Sequence, residues 1–571
     1  MTEIDVITQQ VIRARMDGIV RELQASVVRT GFSTIIRESH DFSAAIMDRW
    51  GRTIGQYSPF PAHLGIYPDC VEGLLKYYDY ADMEEGDCFL ISHPYLSGCP
   101  HPNDMVVLTP LIYDGDVVAF CSSMGHKSDI GGQTPGSRNV SVRDIYGEGL
   151  NIIPVRYHRQ RKRVKETVQF LRSNSRTPEL VLGDLEAQAG ALWSVGVRRT
   201  KNLLDTYGKD IVLEAFEMMG RSTAQRVRGA VTSWKDGAFE AETFVDDLAE
   251  PGEVIRLHVA AIKEGDRLVM DFSGCGDQSA GPINVRPSFV RGLVHYAVVS
   301  MIDPDIPHDF GLPEAIECRF REGSILDPSF PSPTGFYSST VSILEGAVFD
   351  ALAQLSGRPM RGHNGSQGLV VMGNVGGQAR RYVQFEGVMG GGGAHWGGDG
   401  FTGTGHAWSG GFRYTSAEII ESEFDVEMEQ FRLVPDSGGA GQWRGGLSLR
   451  RDYRVLTDTS FAGGSGRVRS IAKGAAGGAN GRQGRVVLNP GTDNEHEHKG
   501  LVSNLILKPG EVVRVEIGSG GGVGDPRERD RDRLIRDLRN GYVSPESAVR
   551  VYGMTDLEVE EALVSDGGTP D

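Results

Sequence analysis

Ile4, Ile7, Val11, Ile12, Met16, Ile19, Val20, Leu23 and Val27 recur mostly at three- and four-residue steps, the period of an amphipathic helix. A long helix therefore opens the chain, and Thr2 with Asp5 can form a capping box at its start. After Gly31 the period changes. The stretch "DFSAAIMDRWGRTIGQ" reads as two short β-prone runs around a "DRWG" turn, a hairpin whose first strand begins at Asp41.

From 86 to 158, β-rich runs such as "GDCFLISHPYL" and "DMVVLTPLIYDGDVVAFCSSMGH" are joined by Gly, Pro and Asp turns, with "YDGD" the strongest hairpin signal. Helical spacing returns over 163 to 230, with Gly208 placed to cap one helix. Residues 235 to 330 read as a second, smaller mixed unit. The run "EGVMGGGGAHWGGDGFTGTGHAWSGG" interrupts any regular element and predicts tight loops packed against something. Strand patterns resume from 427 to 517, and a helical tail follows.

These patterns predict an α+β fold of several domains, built from mixed β-sheets with flanking helices and a Gly-rich, β-rich C-terminal half. The expected divisions are 1–230, an N-terminal helix plus an α/β domain; 231–330, a small mixed α/β domain; 331–525, a Gly-rich, β-rich domain; and 526–571, a helical tail. A length of 571 residues agrees with several domains.

Composition changes this picture in three places. The 76 glycines are nearly twice what an average usage of about 7% gives, so many turns and close backbone approaches are expected. A net charge of −17 argues against a nucleic-acid surface, which needs a concentrated basic field; the basic run "RYHRQRKRVKE" at 156 to 166 reads as a solvated face or a docking rim. No run of about 18 apolar residues predicts a membrane span, and the N-terminus lacks the features of a secretory signal. A cytoplasmic protein is expected. The six cysteines show no C-x-x-C spacing and read as buried thiols.

The candidate chemistry lies in "GCPHPNDMV", 98 to 106, and "MGHKSDIGG", 124 to 132. His101 and Asp104 sit three apart across a turn that Pro102 stiffens, and the intervening hairpin returns His126 to the same edge. Two imidazoles and a carboxylate suit Zn²⁺, Mn²⁺ or Fe²⁺, with Asp41 a candidate fourth ligand through oxygen. H-x-x-D is a weak motif, and loop-capping residues satisfied by backbone would look the same. His395, Asp399 and His406 are a second candidate set. No G-x-x-x-x-G-K-[ST] occurs and "GGSGRVRSIAKG" lies outside any βαβ unit, so a nucleotide site is not expected.

Beyond these single motifs, the stretches "IIRESHDFSAAIMDRWGR", "PAHLGIYP", "GCPHPNDMVVLTPLIYDGDVVAF", "GHKSDIGGQTPGS", "SNSRTPELVLGDLEAQ", "MDFSGCGDQSAGPIN" and "PDSGGAGQWRGG" run in one order across nearly the whole chain. In these the chain resembles the hydantoinase B family, which includes the N-methylhydantoinase beta subunit and the C-terminal half of 5-oxoprolinase. The resemblance implies a metal-containing subunit of an ATP-dependent hydrolase of cyclic amides of the hydantoin, lactam or 5-oxoproline type. It would hydrolyse a phosphorylated substrate made by a hydantoinase A-like ATP-binding partner, which binds ATP-Mg, in a heterotetramer.

The ligands the resemblance implies are Asp41, His101, Asp104 and His126, holding a divalent metal, Zn or Mn. It further implies that Asp129 orients His126 or takes a proton, and that His63 and Arg37 face the same pocket. The sequence departs from the family where many members read N-D-P-Y and this chain has "SHPY", so that His93 is either an auxiliary ligand or a sign of a different substrate. "AHWGGDG" likewise replaces a more usual Arg-containing version. Two other readings remain: a subunit of an ATP-dependent ketone carboxylase of the acetone or acetophenone type, and a noncatalytic scaffold.

Overall fold

The computed structural model describes residues 4–57, 60–376, 381–404, 406–467 and 470–564. The opening helix spans Val6–Thr30. Asp5 caps it, its carboxylate accepting from the backbone N–H of Ile7 and Thr8 at 3.0 Å each, which satisfies two donors a helix start leaves unpaired. Thr2, the other half of the expected capping box, lies outside the described residues. Ile12, Met16, Leu23 and Val27 form the buried stripe.

That stripe covers one face of a seven-stranded sheet. Its strands are β1 (Phe42–Asp48), β2 (Thr53–Tyr57), β3 (Cys88–Ile91), β4 (Asp104–Tyr113), β5 (Asp116–His126), β6 (Val155–Arg159) and β7 (Lys162–Arg163), in the order β2-β1-β5-β4-β3-β6-β7. Each neighbouring pair is antiparallel. The hairpin expected from Asp41 is β1–β2. The "YDGD" hairpin is β4–β5, turning on Asp114 (φ 52°) and Gly115 (φ 84°), the two left-handed residues a tight two-residue loop requires.

Both faces of the sheet are covered, so alternate residues enter different cores. Ala44, Ile46, Met105 and Val107 pack with the opening helix and with Leu185 of the helix Pro178–Ala191. Ala45, Met47, Val106 and Leu108 pack on the other side against Cys70, Val71 and Leu74 of the helix Tyr67–Leu75.

The next unit is a four-stranded sheet of β8 (Gly237–Asp246), β9 (Val254–Glu264), β10 (Arg267–Asp271) and β11 (Ile316–Arg319), in the order β11-β10-β9-β8. The apolar helices Pro287–Ile302 and Tyr337–Ser356 join it in the largest core, which also takes in Ile35 and Phe60 from the N-terminal region and Val371 and Phe385 from beyond. One continuous apolar mass thus abuts the open end of the β4–β5 hairpin.

The C-terminal half is strand-rich, as the pattern predicts. β12 (Gln367–Asn374), β13 (Val383–Met389), β16 (Thr459–Ser465) and β19 (Leu501–Leu507) form one sheet, in the order β13-β12-β16-β19. β14 (Val426–Leu433), β15 (Leu449–Val455), β17 (Arg485–Leu488), β18 (His496–His498) and β20 (Val512–Glu516) form the other. The glycine excess has its reason between them. Irregular strands lie backbone on backbone, Gly446 N–H donating to Gly392 O at 2.8 Å and Gly520 N–H to Gly446 O at 3.1 Å. A Cβ at Gly446 would run into the Phe401 carbonyl, and one at Gly520 into that of Gly392, so side chains are excluded by contact.

The tail has its own small core of Leu534, Leu538, Val543 and Tyr552. It is tied back by Arg529, which lies 2.8 Å from Asp399 and 2.7 Å from Asp537. All six cysteines are free thiols, five of them buried. No helix among the described residues is long and apolar enough to cross a membrane.

Candidate metal centre

The register of the β4–β5 hairpin sets Asp104, the first residue of β4, directly opposite His126, the last of β5. Facing residues of an antiparallel pair have adjacent side chains, and His126 Nδ1 lies 3.0 Å from Asp104 Oδ1. The "HPND" turn brings a second imidazole to the other oxygen, with His101 Nε2 3.1 Å from Asp104 Oδ2. Asn103 locks this turn, its carbonyl accepting from Lys127 N–H at 2.9 Å and its side-chain amide donating to the carbonyls of Lys127 and Gly136. The rings of His101 and His126 stack with centroids 5.0 Å apart. Ligand-type atoms from His101, Asp104 and His126 all lie within 4.8 Å of one another, and all three residues are buried.

Burial decides the protonation states. It pushes His101 down to about 3 and lowers His126 as well, so both imidazoles are neutral at physiological pH. Burial opposes ionisation of Asp104, but its partners His101 and His126 outweigh that and hold its carboxyl well below the usual range. His101 Nδ1 and His126 Nε2 are buried with no hydrogen-bond partner. Buried lone pairs on neutral imidazoles beside a carboxylate are the donor set a divalent cation takes. The residues therefore fit a Zn²⁺- or Mn²⁺-type ion.

Asp41 precedes β1, next to β5, and its carbonyl accepts from His126 N–H at 3.1 Å. Its carboxyl is outside the converging set of three; it lines an adjoining cavity of about 20 Å³ with His126, Arg138, Tyr337, Phe385 and Trp408. Burial, then the charge of Asp104, push the Asp41 carboxyl well above the usual range.

His63 belongs with this group. It sits in the turn Pro61–Gly65, stacked on Phe60 at 4.9 Å and edge-on to Phe289 at 5.8 Å. Burial lowers it to about 4, with the charges of Asp104 and His126 felt as well, and neither ring nitrogen has a hydrogen-bond partner.

Other expected residues lie elsewhere. Arg37 forms an ion pair with Glu423, with Nη2 2.5 Å from Oε1, and its side chain is 36% exposed. Asp129, expected to orient His126, instead closes its own loop. It accepts from the N–H of Gly131 at 3.1 Å, of Gly136 at 3.0 Å and of Arg176 at 2.8 Å, and pairs with the Arg176 guanidinium at 2.9 Å. His126 has Asp104 as its side-chain partner. His93 stacks on Phe330 at 5.6 Å, away from the converging set. The second candidate set does not assemble among the described residues: Asp399 is held by Arg529, and His395 Nδ1 sits 3.1 Å from the Trp396 carbonyl.

Two charged residues near the site carried no signal in spacing. Lys127 is fully buried, its Nζ donating to Gln188 Oε1 at 2.6 Å, and burial brings it down to about 8 against the charges of Asp184, Asp104 and Asp41. Arg138 is 4% exposed in the cavity wall. The one available hint is an arginine inside the turn-rich run that begins at His126.

The Hydantoinase B/oxoprolinase family model matches residues 5–526. The caprolactamase subunit beta of Pseudomonas jessenii is 29% identical over 574 residues, covering 97% of both chains. A 5-oxoprolinase of Dictyostelium discoideum is 27% identical over 541 residues, which are 94% of this chain and 41% of that protein. The crystal structure of an ATP-dependent caprolactamase from Pseudomonas jessenii superimposes with a TM-score of 0.88 at 26% identity, over 99% of this chain and 100% of that one.

Proposed function

This chain belongs to the hydantoinase B/oxoprolinase family, whose members include an ATP-dependent caprolactamase, and we propose that it is the metal-holding subunit of an ATP-dependent cyclic amide hydrolase. The observation that carries the reading is the buried convergence of His101, Asp104 and His126, with the second nitrogen of each imidazole, His101 Nδ1 and His126 Nε2, left without a hydrogen-bond partner. These residues would hold a divalent ion, Zn or Mn, and Asp41 would add a further oxygen from the cavity wall. Such an ion supplies Lewis acidity and a water activated near neutral pH.

The chain's own side chains do the remainder. His63, neutral and unpartnered at both nitrogens, takes a proton from the attacking water and returns it to the departing ring nitrogen, and a second water then releases inorganic phosphate from the acyl phosphate to leave the ring-opened acid. The aromatic wall of Phe60, Tyr337, Phe385, Trp408 and Phe412 keeps bulk water out. A cyclic amide resists water because attack destroys its resonance; phosphorylation of its oxygen removes that protection. That step belongs to a hydantoinase A-like ATP-binding partner. Support for a partner comes from the subunit naming of the caprolactamase relative and from the 5-oxoprolinase, of which this chain matches 41%.

The test is reconstitution with the partner and ATP on hydantoin, caprolactam and 5-oxoproline, with and without bicarbonate. The expected result is a ring-opened acid, formed without bicarbonate and lost in His101→Ala. A bicarbonate-dependent carboxylated product, or ring opening that survives His101→Ala, overturns the proposal.

A further inference from the structure

Arg138 stands out among the buried charges. Its residue is 4% exposed, and its Nε and Nη1 have no hydrogen-bond partner. No ion pair to it is formed among the described residues. The carboxylates whose charge it feels, Asp104, Glu148 and Asp41, do not reach it; Glu148 accepts instead from Gly335 N–H at 2.5 Å. The faces of Phe336 and Phe385, with centroids at 5.6 and 5.4 Å, are what the guanidinium rests on, a partial compensation for lost water. A guanidinium stays charged in proteins, and a buried charge without a partner is strongly unfavourable. Such a group persists when a ligand supplies the missing anion.

Its placement is fixed by the surrounding loop. Asp129 closes 129–138 onto the N–H groups of Gly131 and Gly136. Arg176, held by the same carboxylate, donates to the carbonyls of Gly131 at 3.0 Å and Gly132 at 2.8 Å. Thr134 Oγ1 donates to the Arg138 carbonyl at 2.9 Å, and Ser137 just before it is left-handed at φ 58°. The outcome is a guanidinium in the wall of the cavity that Asp41 and His126 also line.

We propose that Arg138 is the oxyanion receptor of this site, with Asp129 as the residue that positions it. The planar fork of N–H donors matches two oxygens of a phosphoryl or carboxylate group. On the reading given above, on which this assignment of the ligand rests, the two sources are the phosphoryl group of the activated amide and the carboxylate of the opened product.

The experiment is isothermal titration of the full-length chain with inorganic phosphate and, separately, with acetate. It compares wild type, Arg138→Met, Arg138→Lys and Asp129→Asn, with metal content measured in each. Wild type binds phosphate, Arg138→Met weakens binding by about tenfold or more, Arg138→Lys falls between them and Asp129→Asn weakens it too, while metal content is the same in all four. Tighter binding of phosphate identifies the phosphoryl source, and tighter binding of acetate the product carboxylate. Wild type binding neither anion, or Arg138→Met binding as tightly as wild type, overturns the proposal. If Arg138→Met fails to fold, an Arg138→Lys variant with undiminished binding does so. Metal content and ring opening are separate readouts, so failure of the hydrolase reading leaves this result interpretable.

Discussion

Asp104 and His126 face each other across the open end of the β4–β5 hairpin, with Oδ1 of one 3.0 Å from Nδ1 of the other. The pairing is a product of strand register, so the site exists once the hairpin is formed. An ion bound only by the folded chain stabilises it by mass action. A chelator should therefore lower the Tm of the wild type and leave that of Asp104→Asn unmoved. Equal shifts in the two proteins would place the stabilising ion elsewhere.

Asp129 is fully buried beside Arg176. Removing one partner of a buried pair leaves the other charge uncompensated, which costs about 3–5 kcal/mol when both are fully buried. Arg176 is 27% exposed, so roughly 2–3 kcal/mol is expected for Asp129→Ala. Urea denaturation of the variant should show this loss with metal content unchanged. Loss of metal without loss of stability would return Asp129 to the neighbourhood of His126.

Acid should destabilise the protein through histidines remote from the three converging residues. Burial pushes His295 down to about 3, His308 to about 4 and His406 to about 3. Their unfolded counterparts titrate near the ordinary 6.5, so below that pH the unfolded state binds more protons and stability falls as pH falls. At pH 5 each contributes a loss of about 2 kcal/mol. Tm should fall from pH 7 to pH 5, less steeply in His295→Asn. Glu148, which burial raises to about 8, and Asp309, raised to about 6, act in the opposite sense over this interval, so equal slopes in wild type and His295→Asn would contradict the role of His295.

Much of this was readable in residue order. The helix over the first thirty residues, the two hairpins and the meeting of His101, Asp104 and His126 follow from periodicity and turn chemistry, which act over a few residues. What was not readable depends on packing between distant segments. Asp129 looks like a neighbour of His126 in sequence, yet Arg176 claims it from 47 positions away. Arg37 finds Glu423. The isolation of Arg138 is a property of what surrounds it, and no spacing rule reports which arginines lack partners. Resemblance to a family carried the whole fold at once, yet the places it implied for Asp129 and Arg37 beside His126 are not where these side chains are held.

The glycines divide into two physical kinds, and substitution should separate them. Gly446 is closed off by the Phe401 carbonyl, so Gly446→Ala requires the backbone layer to move and should yield insoluble protein or a clearly lowered Tm. Gly190, in the helix Pro178–Ala191, has open space where a Cβ would stand, with nothing within 4 Å. Gly190→Ala should stabilise by up to about 1 kcal/mol through helix propensity, read from the urea midpoint. Equal behaviour of the two variants would mean that the glycine layer is not closely packed.

The most direct measurement is the metal content of the purified chain by elemental mass spectrometry, with His101→Ala and His126→Ala beside the wild type. The wild type should carry near-stoichiometric zinc or manganese, lost in both variants. Metal absent from the wild type, or retained unchanged in the variants, would contradict a metal centre at His101, Asp104 and His126.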